Sequence, residues 1–144
     1  MKKTTAIVLA ILSVGKPVLA QELDSLANTI ETGVEKSYPF VRCAALYYSI
    51  SLYAGETRLG NELYSSYVDS VEKFMRSAAL VRAQDGVDAE VSSRQVLQET
   101  NTITDIYLAR YRNNYAVGGQ AFGADPLFQS DITFCNVISE RLKQ

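Results

Sequence analysis

Histidine is absent from this 144-residue sequence, and cysteine occurs only twice. Histidine is the commonest general base, the usual axial ligand of haem and the usual nitrogen ligand of zinc and copper. Its absence excludes Ser-His-Asp and Cys-His catalytic sites and the CxxCH type of haem attachment. An enzyme would have to use carboxylates, tyrosine, lysine or an oxygen-bound metal. We therefore predict a non-catalytic protein without a metal or cofactor.

One short motif imitates that of an enzyme family. Residues 70–73 (SVEK) fit the S-x-x-K pattern of penicillin-binding proteins and serine β-lactamases, and Ser130-Asp131 matches half of their second motif. Their third motif, K-T-G, is missing, and the chain is too short for the α/β fold of those enzymes. We interpret the match as accidental, and we expect Asp131 to be a solvated side chain.

Residues 1–20 have the three parts of a secretory signal peptide. Lys2 and Lys3 give a positive start, residues 6–14 (AIVLAILSV) form a short apolar run, and residues 18–20 (VLA) place small side chains at a cleavage site. We predict cleavage before Gln21 and, because the short two-lysine start is typical of bacteria, a periplasmic location. No later stretch is long and apolar enough to cross a membrane.

The predicted mature chain, residues 21–144, is one domain in length and mildly acidic. Cleavage removes three lysines, which leaves 11 basic and 16 acidic residues and a formal charge of −5. A domain of this charge without a basic patch is a poor partner for nucleic acid or for anionic lipid headgroups. We therefore predict another protein as the partner, with neither nucleic-acid binding nor membrane insertion.

Apolar residues recur at three- and four-residue spacing throughout the mature chain, whereas no segment shows the alternation of a strand. The pattern predicts a single all-α domain, a bundle of about five mostly antiparallel helices. The predicted helices cover residues 23–34, 41–54, 61–84, 88–116 and 126–142, with a kink or short break at residues 100–102 (TNT). Residues 116–124 (AVGGQAFGA), which precede the last helix, are rich in glycine and are predicted to form a flexible loop.

The two cysteines fall on the predicted inward faces of two helices. Cys43 shares a face with Leu46 and Ile50, and Cys135 shares a face with Ile132 and Ile138. Two cysteines in an oxidising compartment are most simply explained by one disulfide. We therefore predict that a Cys43–Cys135 bond staples the second helix to the fifth.

Tyrosine is abundant, with nine residues, whereas tryptophan is absent. Tyr107, Tyr111 and Tyr115 form a stripe along the fourth predicted helix, with Arg110 beside it and Phe122 in the loop that follows. Two interpretations remain open. The rings line the bundle with their hydroxyls at its rim, or these five residues form a protein-recognition surface, since tyrosine and arginine are enriched at interface hot spots.

Three classes of function fit these observations. We favour a small secreted interaction protein, such as an inhibitor, adaptor or accessory subunit, because the chain is short, stapled and poor in catalytic groups. A carrier of a small apolar ligand within the bundle core is the first alternative. A histidine-free enzyme is the least favoured.

Overall fold

Five α-helices and no strands make up residues 22–143, the part of the chain that the structure, a computed structural model, describes. The predicted all-α fold is therefore confirmed. The predicted signal peptide, residues 1–20, lies outside the described residues, and its cleavage stays a prediction. The helices are α1 (Leu26–Glu31), α2 (Tyr38–Leu59), α3 (Asn61–Gln84), α4 (Ala89–Gly118) and α5 (Pro126–Arg141).

The ends of the longer helices follow from local sequence chemistry. The Asp88 carboxylate accepts hydrogen bonds from the first backbone amides of α4, and the Asp125 carboxylate does the same for α5, where Pro126 is the first helical residue. Gly119 ends α4 in the left-handed conformation, with φ of 72°, and its N–H donates to the Tyr115 carbonyl oxygen at 2.9 Å. A polar or flexible residue at each position therefore sets the length of the helix.

Two predicted details were wrong. α1 has only six residues, because Thr32 ends it and Gly33 follows with φ of +85°. α4 continues through residues 100–102 without a break, although Thr and Asn are poor helix formers. Thr100 and Thr104 are buried, and the Thr104 hydroxyl donates to the Ala45 carbonyl oxygen of α2 at 3.4 Å. Packing against α2 therefore outweighs local propensity.

α2 is the central helix of the bundle. Every residue from Val41 to Tyr47 is buried, so the helix is covered on all sides along its first half. The Tyr47 ring stacks on Tyr67 of α3, with ring centroids 5.0 Å apart, and α4 and α5 cover other faces. A helix covered on every side needs apolar or small residues all round, which explains the unbroken sequence from Cys43 to Leu46.

The predicted disulfide between Cys43 and Cys135 is confirmed. It links residues 92 positions apart, with Cα atoms separated by 5.3 Å, and both side chains are fully buried. Because it joins the first half of α2 to the middle of α5, the last helix is bonded covalently to the central one. A buried disulfide is consistent with an oxidising extracellular compartment.

The long helices that follow one another run antiparallel. Arg82, near the end of α3, bonds the Ser37 hydroxyl at the start of α2, whereas Tyr67, near the start of α3, lies on Tyr47 further along α2. α4 reverses direction again and therefore runs parallel to α2. The C-terminal ends of α2 and α4 consequently share one end of the bundle with the loop between α4 and α5.

No helix within residues 22–143 combines the length and the hydropathy needed to cross a bilayer.

Candidate functional site

The tyrosine stripe of α4 divides into a buried part and an exposed part. Tyr107 and Tyr111 have no solvent-exposed area. The prediction that they belong to a recognition surface was therefore wrong, and both are core residues. Both rings face α2, where the Tyr111 hydroxyl is hydrogen-bonded to Ser49 at 3.1 Å. Tyr115, one turn later, is 61% exposed because it lies beyond the helices that cover the first two.

Tyr107 belongs to a buried ionic network that the sequence analysis missed. Arg42 and Asp131 form an ion pair with Nη2 and Oδ2 2.7 Å apart, and their side chains are 1% and 0% exposed. The Arg42 Nε also donates to the Tyr107 hydroxyl oxygen at 2.6 Å, and that hydroxyl donates to the Asp131 carboxylate. The expectation of a solvated Asp131 was therefore wrong, because this face of α5 packs onto α2.

The same two charges hold the N-terminal part of the domain in place. The Asp131 Oδ1 accepts from the backbone N–H of Leu26 at 2.7 Å, which stabilises the start of α1. The Arg42 Nη2 donates to the Asp24 carbonyl oxygen at 2.8 Å, and Nη1 donates to the Tyr38 hydroxyl at 3.1 Å. The sequence carried one signal for this network, namely an arginine inside an apolar run, because a buried charge requires a partner.

This network stabilises the fold and offers little to a substrate. Burial raises the pKa of Tyr107 well above its usual value, more than the neighbouring Arg42 lowers it, so the phenol stays protonated at neutral pH. The donor groups of Arg42 and the acceptor oxygens of Asp131 already form hydrogen bonds within the protein, and both side chains are buried.

Arg110 forms a second ion pair, with Asp125. Its Nε and Nη2 atoms donate to the two carboxylate oxygens of Asp125 at 2.6 and 2.8 Å, and Asn114 donates to the same carboxylate at 2.8 Å. Burial alone would raise the pKa of Asp125, but the hydrogen bonds from Arg110 and Asn114 and the charge of Arg110 outweigh it and lower the pKa. Arg110 therefore positions the start of α5, and its charge is largely neutralised within the domain.

Phe122 anchors the glycine-rich loop to the bundle. Its half-buried ring packs on Tyr111, Phe128 and Tyr53, with ring centroids 4.7, 4.9 and 5.5 Å apart. Asn114 also donates to the Ala121 carbonyl oxygen at 3.2 Å. The loop predicted to be flexible is therefore held at its centre by aromatic packing and a hydrogen bond.

A surface pocket lies where α2, α4 and this loop meet. Its volume is about 370 Å³, and Tyr115 and Phe122, two of the five predicted surface residues, contribute to its wall. We call this region the α4-end surface and define it by Tyr53, Arg58, Tyr115, Gly119, Ala121 and Phe122.

The structure adds two pocket residues that the sequence analysis did not place there. Tyr53 contributes an aromatic wall from α2, and Arg58 contributes a cation from the same helix, beyond its break at Gly55. Arg58 is exposed and makes no ion pair within residues 22–143. Spacing along α2 carries no sign of this role, because the pocket depends on how α2 and α4 meet.

An apolar groove of about 410 Å³ lies away from the α4-end surface, between the second half of α3 and the start of α4. Its lining is formed mainly by Met75, Ala79, Leu80, Ala83, Ala89 and Val96. The neighbouring Ser70, of the accidental S-x-x-K match, donates its hydroxyl to the Ser66 carbonyl oxygen at 2.8 Å. Within residues 22–143, no three carboxylate or cysteine side chains come together as a metal site would require.

Comparisons with known proteins were made at the level of families, individual sequences and folds. The chain matches no protein-family model, no curated protein and no solved structure. Its function is therefore inferred from its own residues.

Proposed function

We propose that this protein is a small secreted, non-catalytic interaction protein, such as an inhibitor, adaptor or accessory subunit. The α4-end surface would bind the partner protein. The observation that carries this proposal is the exposure of Tyr115 in the wall of a pocket whose other aromatic residues are Tyr53 and Phe122. Tyrosine and arginine are the side chains most enriched at interface hot spots, and such residues act by filling pockets.

The surface is supported by a scaffold that changes little on binding. Phe122 packs on three rings, Arg110 holds the start of α5, and the disulfide bonds α5 to α2. A pre-formed surface loses less conformational entropy on association, so more of the contact free energy appears as affinity. The signal-peptide pattern of residues 1–20 supports export, and we propose the periplasm as the site of action.

The decisive experiment is site-specific photo-crosslinking in the cells that export the protein. A photoreactive phenylalanine analogue replaces Tyr115, and the control replaces Leu97, which is 51% exposed on the same helix. Leu97 lies 18 residues before Tyr115 on α4, roughly 27 Å along the helix axis. We expect one discrete protein adduct from position 115 and none from position 97. Equal labelling from the two positions, or none from position 115, would contradict the proposal.

A quantitative test follows once the partner is purified. Tyr115→Ala removes the most exposed ring of the pocket wall, and loss of a hot-spot side chain costs about 2 kcal/mol or more. We therefore expect the Kd to rise by about tenfold or more, whereas Leu97→Ala leaves the Kd unchanged. Equal effects of the two substitutions would argue against the α4-end surface.

One observation favours a carrier as a second candidate, with its ligand in the groove between α3 and α4 rather than within the bundle core, where the sequence analysis expected it. The groove between α3 and α4 is lined mostly by apolar side chains, and Leu80 within it is 56% exposed. A fluorescent fatty-acid analogue should then bind saturably, and Leu80→Asp should abolish the binding. Val137→Asp, at an apolar α5 residue that is 52% exposed, is the matched control. Non-saturable binding, or equal effects of both substitutions, would dismiss this candidate.

A further inference from the structure

Most arginines in the described part of the domain are paired with carboxylates, but Arg58 at the α4-end surface is not. Five of the eight arginines in residues 22–143 form ion pairs with carboxylates of the same chain: Arg42, Arg76, Arg82, Arg94 and Arg110. Within that range the other three, Arg58, Arg112 and Arg141, form none and are exposed. In a chain with more acids than bases, an unpaired arginine is a cation available to a partner.

Two of these available cations lie at the same end of the bundle. Arg58 is part of the pocket wall. Arg112 precedes Tyr115 by three residues and Gly119 by seven, so it lies on the stripe of α4 that reaches the pocket.

Carboxylates are scarce along this part of the chain. Residues 106–124 contain two arginines and no acidic residue. Asp125, which follows, is paired with Arg110, and the nearby exposed acids Glu56 and Glu62 do not line the pocket. Among residues 22–143, the pocket wall itself therefore holds one cation, Arg58, and no carboxylate, on a domain whose predicted net charge is negative.

The pocket itself suits one apolar side chain. Tyr53, Tyr115 and Phe122 provide aromatic walls around a volume of about 370 Å³. Tyr53 packs on Phe122 and on Tyr111 with centroid distances of 5.5 and 5.6 Å, so two of the walls are held in place before binding. Arg58 at the same pocket would meet a carboxylate next to that apolar side chain, and guanidinium–carboxylate pairs bond in a bidentate geometry.

We infer that the α4-end surface recognises an acidic peptide segment of the partner. A carboxylate pairs with Arg58, and the neighbouring aromatic side chain packs against the aromatic walls of the pocket. This inference rests on the proposed interaction function and specifies the chemistry of its partner. Anionic membrane surfaces share the negative charge, but the predicted charge of −5 on the mature chain opposes their approach.

The test uses three fluorescein-labelled peptides of equal length and the mature protein. The first alternates Asp and Phe in a Gly/Ser background, the second has Lys in place of Asp, and the third has Ser in place of Phe. Fluorescence anisotropy at low and physiological salt gives the affinities. We expect binding of the first peptide only, weakened by salt because the cations are exposed.

Arginine substitutions then locate the binding. Arg58→Glu should weaken binding of the Asp/Phe peptide by tenfold or more and should create binding of the Lys/Phe peptide. Arg141→Glu is the matched control, because Arg141 is also exposed and makes no ion pair within residues 22–143. Unchanged urea midpoints for both variants establish that they are folded.

Several results would overturn the inference. These are no binding of the Asp/Phe peptide at millimolar concentration, equal binding of all three peptides, or equal effects of Arg58→Glu and Arg141→Glu. Binding to phosphatidylglycerol vesicles without binding to the peptide would also overturn it, in favour of a membrane. A discrete crosslink from position 115 that persists in Arg58→Glu refutes the acidic segment and leaves the interaction function standing. Absence of any crosslink removes both.

Discussion

Asp131→Asn is the most informative perturbation of this fold, because it removes a negative charge that Arg42 needs in the interior. The two side chains are 0% and 1% exposed, so water cannot replace the lost carboxylate. The asparagine oxygen can still accept from the Leu26 N–H, but the Arg42 guanidinium then lies against a neutral amide and the Tyr107 hydroxyl.

The expected loss is large compared with the stability of a small domain. Breaking a buried ion pair by removing one partner costs about 3–5 kcal/mol, because the remaining charge is uncompensated. Domains of this size are stable by only about 5–15 kcal/mol. We therefore expect Asp131→Asn to lower Tm by on the order of 10 °C or more.

Urea denaturation followed by circular dichroism measures this loss as a shift of the midpoint at constant m value. Glu72→Gln is the matched control, because the Arg76–Glu72 pair is more than 70% exposed on both sides. Exposed pairs contribute about 0–1 kcal/mol, so the control should change little. If Asp131→Asn costs no more than Glu72→Gln, the argument from burial is refuted.

A double substitution separates the lost charge from the lost packing. Arg42→Met with Asp131→Leu removes both charges, and apolar replacement of a buried pair is often neutral or stabilising. We expect this variant to be more stable than Asp131→Asn alone. A double variant less stable than the single one would show that the lost hydrogen bonds to the Tyr107 hydroxyl and the Leu26 N–H cost more than the uncompensated charge.

Three further predictions concern the staple, the loop and the start of α5. Replacing Cys43 and Cys135 together by alanine should lower the free energy of unfolding in urea by up to about 4–5 kcal/mol, since the bond closes a loop of 92 residues. Gly119→Ala should cost about 1 kcal/mol in the same assay because φ is 72°, whereas Gly118→Ala, at a helical position with open space around it, should be neutral or stabilising. The pKa of Asp125 is lowered in the folded state, so its charge stabilises the fold above the unfolded pKa of about 4 and loses this effect as the pH falls through the folded value. The stability difference between wild type and Asp125→Asn, measured by urea titration at a series of pH values, should therefore be constant near neutrality and shrink below about pH 4.

Each of these predictions has a result that contradicts it. Two thiols that react with an alkylating agent before reduction would show that the cysteines are unpaired in the purified protein. Equal costs for the two adjacent glycine substitutions would argue against the left-handed cap. A stability difference for Asp125→Asn that is independent of pH would mean that its carboxylate charge contributes nothing.

The helices themselves were predictable because their causes are local. Three- and four-residue spacing, the capping residues Asp88 and Asp125 and the glycines at the helix ends all act within a few residues. The disulfide was predictable for another reason: only two cysteines exist, and both lie on inward faces. These features needed no knowledge of how the helices pack.

The location of the surface depended on tertiary structure. Periodicity placed Tyr107, Tyr111 and Tyr115 on one stripe, but it could not show that α2 covers the first two and leaves the third exposed. Arg58 joins the same pocket only because the ends of α2 and α4 meet there.

The sequence alone determined the all-α class, the main helix ends and the cysteine pair, because these depend on neighbours along the chain. Only the tertiary structure decided that Asp131 is buried against Arg42, 89 positions away, and that Tyr115 and Phe122 share a pocket. Helix periodicity identifies which residues lie on one face of a helix. Burial and pairing depend on which other helix covers that face, and that is a property of the packed bundle.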